Sequence, residues 1–197
     1  MFVSFEGVDG SGKSTQAALL RDALAAEGRR VVLAREPGGT DLGERVRTLL
    51  LEGPAMTAWA EAALFAAARA ELVAAVVRPA LERGEDVICD RYVDSSLAYQ
   101  GLARGLGVEP VLELNLQAVQ GLLPDTTVLL IVDPVEAARR SGETDRLERE
   151  GAAFRRRVGA AYRELADMFP DRIVALDGTL PPDVLSEQVR ERVRSRI

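Results

Sequence analysis

A glycine-rich segment near the start of the chain, GVDGSGKS at residues 7–14, constrains the fold more than any other feature. It fits the pattern G-x-x-x-x-G-K-[ST]. The apolar run MFVSF precedes it, and the residues that follow have the apolar spacing of a helix that stops at Gly28. In such a strand–loop–helix unit, backbone N–H groups and the helix N-terminus face phosphate oxygens. The segment therefore predicts a phosphate-binding loop in an α/β fold.

The distribution of positive charge supports a phosphate site in this loop. The chain has 25 lysine and arginine residues, and Lys13 is the only lysine among them. A lysine ammonium is a compact charge on a flexible stem, whereas an arginine guanidinium is a planar fork with a different reach. We interpret Lys13 as a catalytic ligand of the β- and γ-phosphates and Ser14 as a Mg²⁺ ligand. The alternative is an ordinary glycine-rich turn with a surface lysine. The other predicted nucleotide-binding residues are Gly7, Val8, Asp9, Gly10, Ser11, Gly12 and Thr15.

Apolar segments alternate with helical segments along the whole chain. Strands are predicted at residues 1–5, 30–36, 86–90, 126–133 and 172–178. A long alanine-rich helix is predicted from Thr57 to Gly84, with an interruption at Pro79. Strands that alternate with helices indicate a parallel sheet covered by helices on both faces. We therefore expect one domain over residues 1–197 that carries the phosphate-binding loop (P-loop), with ligands beyond the carboxyl ends of its strands.

Composition excludes several classes of function. The chain has no histidine and one cysteine, Cys89, so it lacks histidine-based catalysis, a disulfide framework and a cysteine-clustered zinc site. Its formal net charge of −6 disfavours a general nucleic-acid-binding surface. No apolar run reaches the length of a membrane span, and the first residues lack a signal-peptide pattern. We expect a cytoplasmic protein without membrane or nucleic-acid partners.

Two observations narrow the kind of phosphate-binding protein. A GTPase would need the guanine-reading pattern [NT]-K-x-D, which a chain with one lysine cannot supply, and the motifs of protein kinases are absent. The tripeptide DRY follows the third predicted strand, where Asp90 can hold Mg²⁺ and Arg91 can clamp an acceptor phosphate. The alternative for DRY is a turn with a surface salt bridge. These features favour a kinase of a small phosphorylated molecule.

Four motifs together resemble one enzyme family. FEGVDGSGKST (5–15), REPGGT (35–40), DRYVDSSLAYQG (90–101) and DRLE (145–148) have the order and spacing of thymidylate kinases. The first motif is shared by many P-loop kinases, whereas the second and third together are much more specific. The resemblance spans the chain and implies ATP-dependent phosphorylation of dTMP to dTDP for dTTP synthesis, with Mg²⁺. It also implies a homodimer, the common state in the family.

The resemblance implies roles for several acceptor-site residues. Phe65 and Arg69 correspond to the aromatic residue and arginine that stack on thymine and donate to its O4. Their i, i+4 spacing fits one helix face, although the residues alone fit a core phenylalanine and a snorkelling arginine better. Ser96 corresponds to the residue that faces the pyrimidine edge, Tyr99 to the ring under the sugar, and Gln100 to a further base or sugar contact. The alternative is the start of an ordinary amphipathic helix.

The resemblance also concerns the phosphate end of the acceptor. Glu36 and Pro37 are expected beside the acceptor, and their peptide bond is a candidate for the cis isomer. Asp9 is expected near the bridging phosphate and the nucleoside 3′-hydroxyl. We predict that Asp9 orients phosphates or metal, because a phosphate monoester is already largely ionised near neutral pH and needs no base.

The loop contains no cation beyond Lys13, so further charge is predicted from an arginine-rich lid at residues 136–150. Ser141 stands where related lids sometimes have an arginine, which leaves the catalytic position open between neighbouring residues. The alternative is a solvated helix with the pairs Glu136–Arg140 and Asp145–Arg149. The candidates for the lid cation are Arg139, Arg140, Arg146 and Arg149.

Two other functions stay open at this point. One is a kinase of another nucleoside monophosphate, such as UMP or CMP, which Phe65, Arg69, Ser96 and Tyr99 argue against. The other is a P-loop regulatory protein that holds nucleotide without turnover. Asp9, Lys13, Arg91 and a lid argue against that second alternative.

Overall fold

The computed structural model describes residues 1–140 and 146–195. Its centre is a parallel sheet with the strand order β2-β3-β1-β4-β5. The strands are β1 (Phe2–Glu6), β2 (Val31–Arg35), β3 (Asp86–Asp90), β4 (Thr126–Ile131) and β5 (Ile173–Asp177). All five predicted strands are present, and the parallel α/β sheet is confirmed.

Helices cover both faces of the sheet. They are α1 (Lys13–Ala26), α2 (Asp41–Glu52), α3 (Ala58–Leu72), α4 (Arg78–Glu82), α5 (Val93–Ser96), α6 (Val108–Ala118), α7 (Pro134–Arg140), α8 (Gly151–Met168) and α9 (Pro182–Arg194). Alternate side chains of β1 enter two separate cores. Val3 and Phe5 pack in one core with Leu20 of α1 and Val189 of α9, whereas Phe2 belongs to the other. In the described part of the chain, no helix is long and apolar enough to cross a membrane.

The long alanine-rich helix continues through Pro79, so the interruption predicted there is wrong, but the helix changes type just before that residue. Residues 58–82 stay helical, but Val73–Val77 form a π-helical segment between α3 and α4. Pro79 follows as the second residue of α4, in the first turn, where its missing N–H is tolerated. A second π-helical segment, Leu97–Ala103, directly follows α5.

The strand register brings several polar residues to one edge of the sheet. Asp90 at the end of β3 lies opposite Phe5 of β1 and Arg35 of β2. Glu6 ends β1 directly before the glycine-rich loop, and Arg91 follows β3. Since the strands are parallel, their carboxyl ends open onto a common edge, which is where ligands bind in sheets of this kind.

Candidate active site

A cleft of about 670 Å³ opens at this carboxyl edge. It joins the glycine-rich loop to the REPGGT segment, to α3 and to the segment after β3. Most of the predicted site residues line it: Asp9, Gly10, Gly12, Lys13, Ser14, Thr15, Glu36, Pro37, Phe65, Asp90, Arg91, Ser96, Tyr99, Gln100 and Arg140. The predicted nucleotide and acceptor residues therefore share one cleft.

The glycine-rich loop is shaped by close backbone contacts. Gly7 has a φ of 140°, and a Cβ there would lie 2.6 Å from the carbonyl oxygen of Leu130. Ser11 N donates to Val8 O at 3.2 Å, which tightens the turn. Within the loop, the side chains of Val8 and Ser11 are buried, and Gly12 adopts a left-handed conformation as the N-cap of α1. A side chain at Gly7 would therefore displace the loop from β4.

The side chain of Lys13 folds back onto the glycine-rich loop and contacts Val8 and Asp9. Its Nζ donates to Val8 O at 2.8 Å and lies 4.0 Å from Asp9 Oδ1. The side chain is only 6% exposed, and burial, together with the charge of Arg91, lowers its pKa to about 8. The ammonium is therefore mostly protonated near neutral pH and lies inside the loop that would receive phosphates.

Ser14 and Asp90 form a pair suited to a magnesium ion. Ser14 Oγ donates to Asp90 Oδ2 at 2.5 Å, and Asp90 Oδ1 is buried with no hydrogen-bond partner among the described residues. Within the same residues, no group of three or more acidic or thiol side chains is arranged so that it could hold a metal ion by itself. Mg²⁺ is commonly held by one or two carboxylates together with substrate phosphates and water. A hydroxyl beside a carboxylate with a free oxygen fits that ion.

Arg91 lines the cleft beside the glycine-rich loop. It has a φ of 70°, an uncommon left-handed conformation for a residue other than glycine. Its Nη2 donates to Asp9 Oδ1 at 2.5 Å, and its guanidinium lies 5.5 Å from the centroid of the Tyr99 ring. Burial alone would raise the pKa of Asp9, but the charges of Arg91 and Lys13 outweigh it and lower that pKa to about 2. Asp9 is thus an anion with almost no basicity, in keeping with an orienting role.

Two further cations in the cleft were missed from the sequence. Arg35 and Arg47 both line it. Arg47 Nη1 donates to Pro37 O at 3.0 Å, and Arg35 Nη2 donates to Glu44 Oε1 at 2.9 Å. Arg35 is the first residue of the REPGGT motif and lies at a strand end, so the sequence did contain an indication that it lines the cleft. No such indication exists for Arg47, because it looks like any polar residue of an amphipathic helix.

Arg69 lies beneath the cleft and does not snorkel. It is 1% exposed, and its Nε donates to Glu36 Oε2 at 2.7 Å. Its Nη1 donates to Ser96 Oγ at 3.1 Å and also to Asn115. Burial raises the pKa of Glu36, and the Glu36–Pro37 peptide bond is cis, as anticipated. The arginine therefore fixes the two cleft-lining side chains Glu36 and Ser96.

Two side-chain oxygens of cleft-lining residues are buried and have no hydrogen-bond partner in the described residues. They are Glu36 Oε1 and Gln100 Oε1. Gln100 Nε2 donates to Glu61 Oε1 at 2.8 Å, which turns the amide oxygen away from Glu61. Buried acceptors without donors are rare in proteins, so both oxygens suit donors on a ligand.

The predicted lid arginines separate into different environments. Arg140 lines the cleft, donates to Gly178 O at 3.2 Å and forms the anticipated pair with Glu136. Arg139 and Arg149 are exposed, and neither is among the described residues that line the cleft. Residues 141–145 lie outside the described residues. They include Ser141 and also Asp145, the partner predicted for Arg149.

Arg146 is bound to residues of α2 and α3 and is not among the described residues that line the cleft. Its Nη2 donates to Glu61 Oε2 at 2.7 Å and its Nε to Leu50 O at 2.7 Å. Glu61 also accepts from Gln100 and, at 2.7 Å, from Arg104 Nε. In this conformation Arg146 is committed to Glu61 rather than to the loop. Sequence reasoning missed Glu61, because a glutamate in a first helical turn usually faces solvent.

The fold and the cleft define the class of the protein. A phosphate-binding loop follows the central strand of a parallel sheet, and cations from other strands and helices share its cleft. These are the features of a P-loop nucleotide kinase.

Comparisons with known proteins identify the family. The family model described as thymidylate kinase matches residues 5–189. A thymidylate kinase of Leifsonia xyli subsp. xyli is 50% identical, with 100% of this chain and 96% of that protein covered. One of Deinococcus radiodurans is 46% identical, with coverages of 100% and 97%. The crystal structure of thymidylate kinase from Ehrlichia chaffeensis superposes with a TM-score of 0.83 at 33% identity, covering 98% of each chain. The chain belongs to the thymidylate kinase family.

Proposed function

We propose that this protein, acting as one kinase domain, transfers the γ-phosphoryl group of ATP to dTMP and forms dTDP and ADP. The observation that carries this proposal is that one cleft is lined both by the phosphate-binding loop and by Phe65, Ser96 and Gln100. Family membership supports the same reaction.

Phosphoryl transfer depends mainly on positioning and on charge stabilisation. The loop N–H groups and Lys13 hold the β- and γ-phosphates of ATP, and Arg140 adds a cation from α7. Ser14 and Asp90 would hold Mg²⁺, and the bound ion would supply positive charge against the phosphate oxygens. Arg91 stands beside Asp9 and can contact both the acceptor phosphate and the transferred group. Asp9 orients Arg91 and the substrate without accepting a proton.

The acceptor is recognised at both of its ends. Arg35, Arg47 and Arg91 provide positive charge for the phosphate of dTMP. Phe65 offers a ring face to the thymine, and Ser96 faces the base edge. Arg69 acts on the base only indirectly, by holding Ser96 and Glu36 from below. The unpartnered oxygens of Glu36 and Gln100 accept from the N–H or hydroxyl groups of the nucleoside. A nucleotide substrate that lacks these groups would leave the Glu36 carboxylate and the Gln100 amide oxygen without hydrogen-bond donors.

A coupled assay for ADP tests the function. ATP and Mg²⁺ are offered with dTMP, dUMP, UMP and CMP, and kcat/KM is measured for each acceptor. We expect the highest value for dTMP. A higher value for UMP or CMP would assign the protein to another acceptor. ATP binding without turnover of any acceptor would make it a P-loop binding protein.

Tyr99 is expected to control access of ribonucleotides. Its ring packs edge-on against Phe154 and Tyr162 at 6.1 and 6.3 Å, whereas its hydroxyl makes only a 3.3 Å hydrogen bond to Asp9. We expect Tyr99→Phe to change kcat/KM little. We expect Tyr99→Ala to lower the preference for dTMP over its ribose analogue by about tenfold or more. An unchanged preference in the alanine variant would show that this ring does not exclude the 2′-hydroxyl.

Asp90→Asn tests the magnesium site. The amide keeps the size of the side chain and can still accept from Ser14, but it removes the charge and one ligand oxygen. We expect the Mg²⁺ concentration for half-maximal activity to rise by about tenfold or more. Asp22→Asn, an exposed change on α1, serves as the control. An unchanged Mg²⁺ requirement in Asp90→Asn would place the ion elsewhere.

We also propose that the protein is a cytoplasmic homodimer. The family resemblance implies the dimer, and the use of ATP as donor supports the location. The neighbouring helices α2 and α3 expose three large apolar side chains, Leu42, Leu49 and Trp59, which would be covered in a dimer. Light scattering should give twice the molar mass of the single chain, and the mass of one chain would contradict the dimer.

A further inference from the structure

The carboxylate of Glu6 lies fully buried at the end of β1 and receives four hydrogen bonds. Its Oε1 accepts from the backbone N–H groups of Tyr92 at 2.7 Å and Ser95 at 3.2 Å. Its Oε2 accepts from Ser95 Oγ at 2.6 Å and Tyr162 OH at 3.0 Å. A buried carboxylate is costly unless it is satisfied in this way, and burial, followed by the charge of Asp94, raises the pKa of Glu6 to about 7. None of the roles assigned above requires this group.

The same two hydroxyls connect Glu6 to Arg91. Arg91 Nη1 donates to Ser95 Oγ at 3.0 Å and to Tyr162 OH at 3.1 Å. A guanidinium has only donors, so each hydroxyl must accept from Arg91 and is free to donate its single proton to Glu6. Two parallel chains of hydrogen bonds therefore run from Arg91 through a hydroxyl to Glu6 Oε2. Nη2 of Arg91 takes no part in these chains and donates to Asp9 on the cleft side.

Glu6 also supports the backbone of Arg91. The left-handed conformation at Arg91 is strained and persists only where neighbouring contacts hold it. Arg91 N donates to Phe5 O at 2.9 Å, and the next N–H, that of Tyr92, donates to Glu6 Oε1 at 2.7 Å. The carboxylate thus fixes both the turn that carries Arg91 and one side of its guanidinium.

We propose that Glu6 is a positioning residue for phosphoryl transfer, which acts by holding Arg91 in its cleft-facing conformation through Ser95 and Tyr162. This rests on the proposed function, because Arg91 is assigned there to the phosphates. Glu6→Gln should disturb the arrangement in either amide orientation. The amide nitrogen would face either two hydroxyls that already accept from Arg91 or two backbone N–H groups.

A double-mutant cycle distinguishes positioning from a purely structural role. We expect Glu6→Gln to lower kcat by about 10², the cost of a small misplacement of a catalytic group, while the KM for ATP stays close to wild type. In an Arg91→Ala background, the same change should lower the residual kcat by less than about twofold, because its target is already gone. Residual rates are measured with radiolabelled ATP, and Glu27→Gln, which removes a remote exposed carboxylate, is the control.

Two results would overturn the proposal: a wild-type kcat in Glu6→Gln, or losses that multiply when the two changes are combined. If Glu6→Gln fails to fold in thermal melts, Tyr162→Phe in the same cycle decides by the same criteria, with a several-fold loss expected. The monophosphate panel on the wild-type protein separates this test from the proposed function. If another acceptor is preferred, the function is corrected and the cycle is measured with that acceptor.

Discussion

Lys13→Arg is expected to lower kcat by about 10² to 10³, the usual loss for one contact to charge that develops in the transition state. The side chain is 6% exposed and its Nζ already lies 2.8 Å from Val8 O inside the loop. A guanidinium is wider and planar, so it cannot occupy this position and also reach the β- and γ-phosphates as a point charge. We expect the fold to be retained, because the positive charge and most of the aliphatic stem are kept.

Arg21→Lys provides the matched control for this substitution. It makes the reciprocal change on the same helix, at an exposed residue whose partner is Asp22, and it should leave kcat unchanged. The two variants are compared by the coupled assay and by thermal melts. A Lys13→Arg enzyme with near wild-type kcat would show that the loop needs only a positive charge.

The pKa of Lys13 allows a second test of its role, through the pH dependence of ATP binding. In the free protein that pKa is about 8, so the ammonium loses its proton as the pH rises through this value. ATP binding to the wild type should therefore weaken above pH 8, since the deprotonated amine no longer attracts phosphate. The arginine variant should lack this dependence, because a guanidinium does not titrate in the range. Calorimetric titration with ATP from pH 7 to 9 measures both.

The sequence was sufficient for the features that depend on local pattern. The phosphate-binding loop is defined by eight consecutive residues between a strand and a helix, and the structure has it in that form. The strands were found because buried parallel strands are short apolar runs with polar residues at their ends. The positions of Asp90 and Arg91 at the cleft could be predicted for the same reason, since both lie at the end of such a run.

Buried charged residues were much harder to predict. Arg69 gave the pattern of a snorkelling side chain, but it is enclosed by residues far apart in sequence, among them Glu36 and Asn115. Glu6 and Glu61 look like ordinary strand-end and helix-start residues until the tertiary structure surrounds them with donors. Their environments are created by long-range contacts, for which a local sequence pattern has no signal.

The lid arginines show the same limit at the surface. All four candidates are arginines in one polar segment, and helical spacing cannot rank them. The structure separates them, because Arg146 is bound to Glu61 while Arg140 reaches Gly178. Gly178 itself adjoins the phosphate loop, since a Cβ on it would lie 3.2 Å from Ser11 O. Arg140 is therefore the candidate nearest to the expected position of the ATP phosphates.

Arg140→Ala should lower kcat by about 10² and change the KM for dTMP little. The transferred phosphoryl group carries charge that Lys13 and Arg91 alone would have to stabilise, and a cation acting mainly in the transition state affects kcat more than acceptor binding. Arg139→Ala removes the adjacent exposed arginine and is the matched control, for which we expect a nearly unchanged kcat. A larger loss in Arg139→Ala than in Arg140→Ala would reverse the assignment. If the alanine variants of all four arginines keep wild-type kcat, the segment is a solvated charged helix, and the charge must come from the cations that already line the cleft.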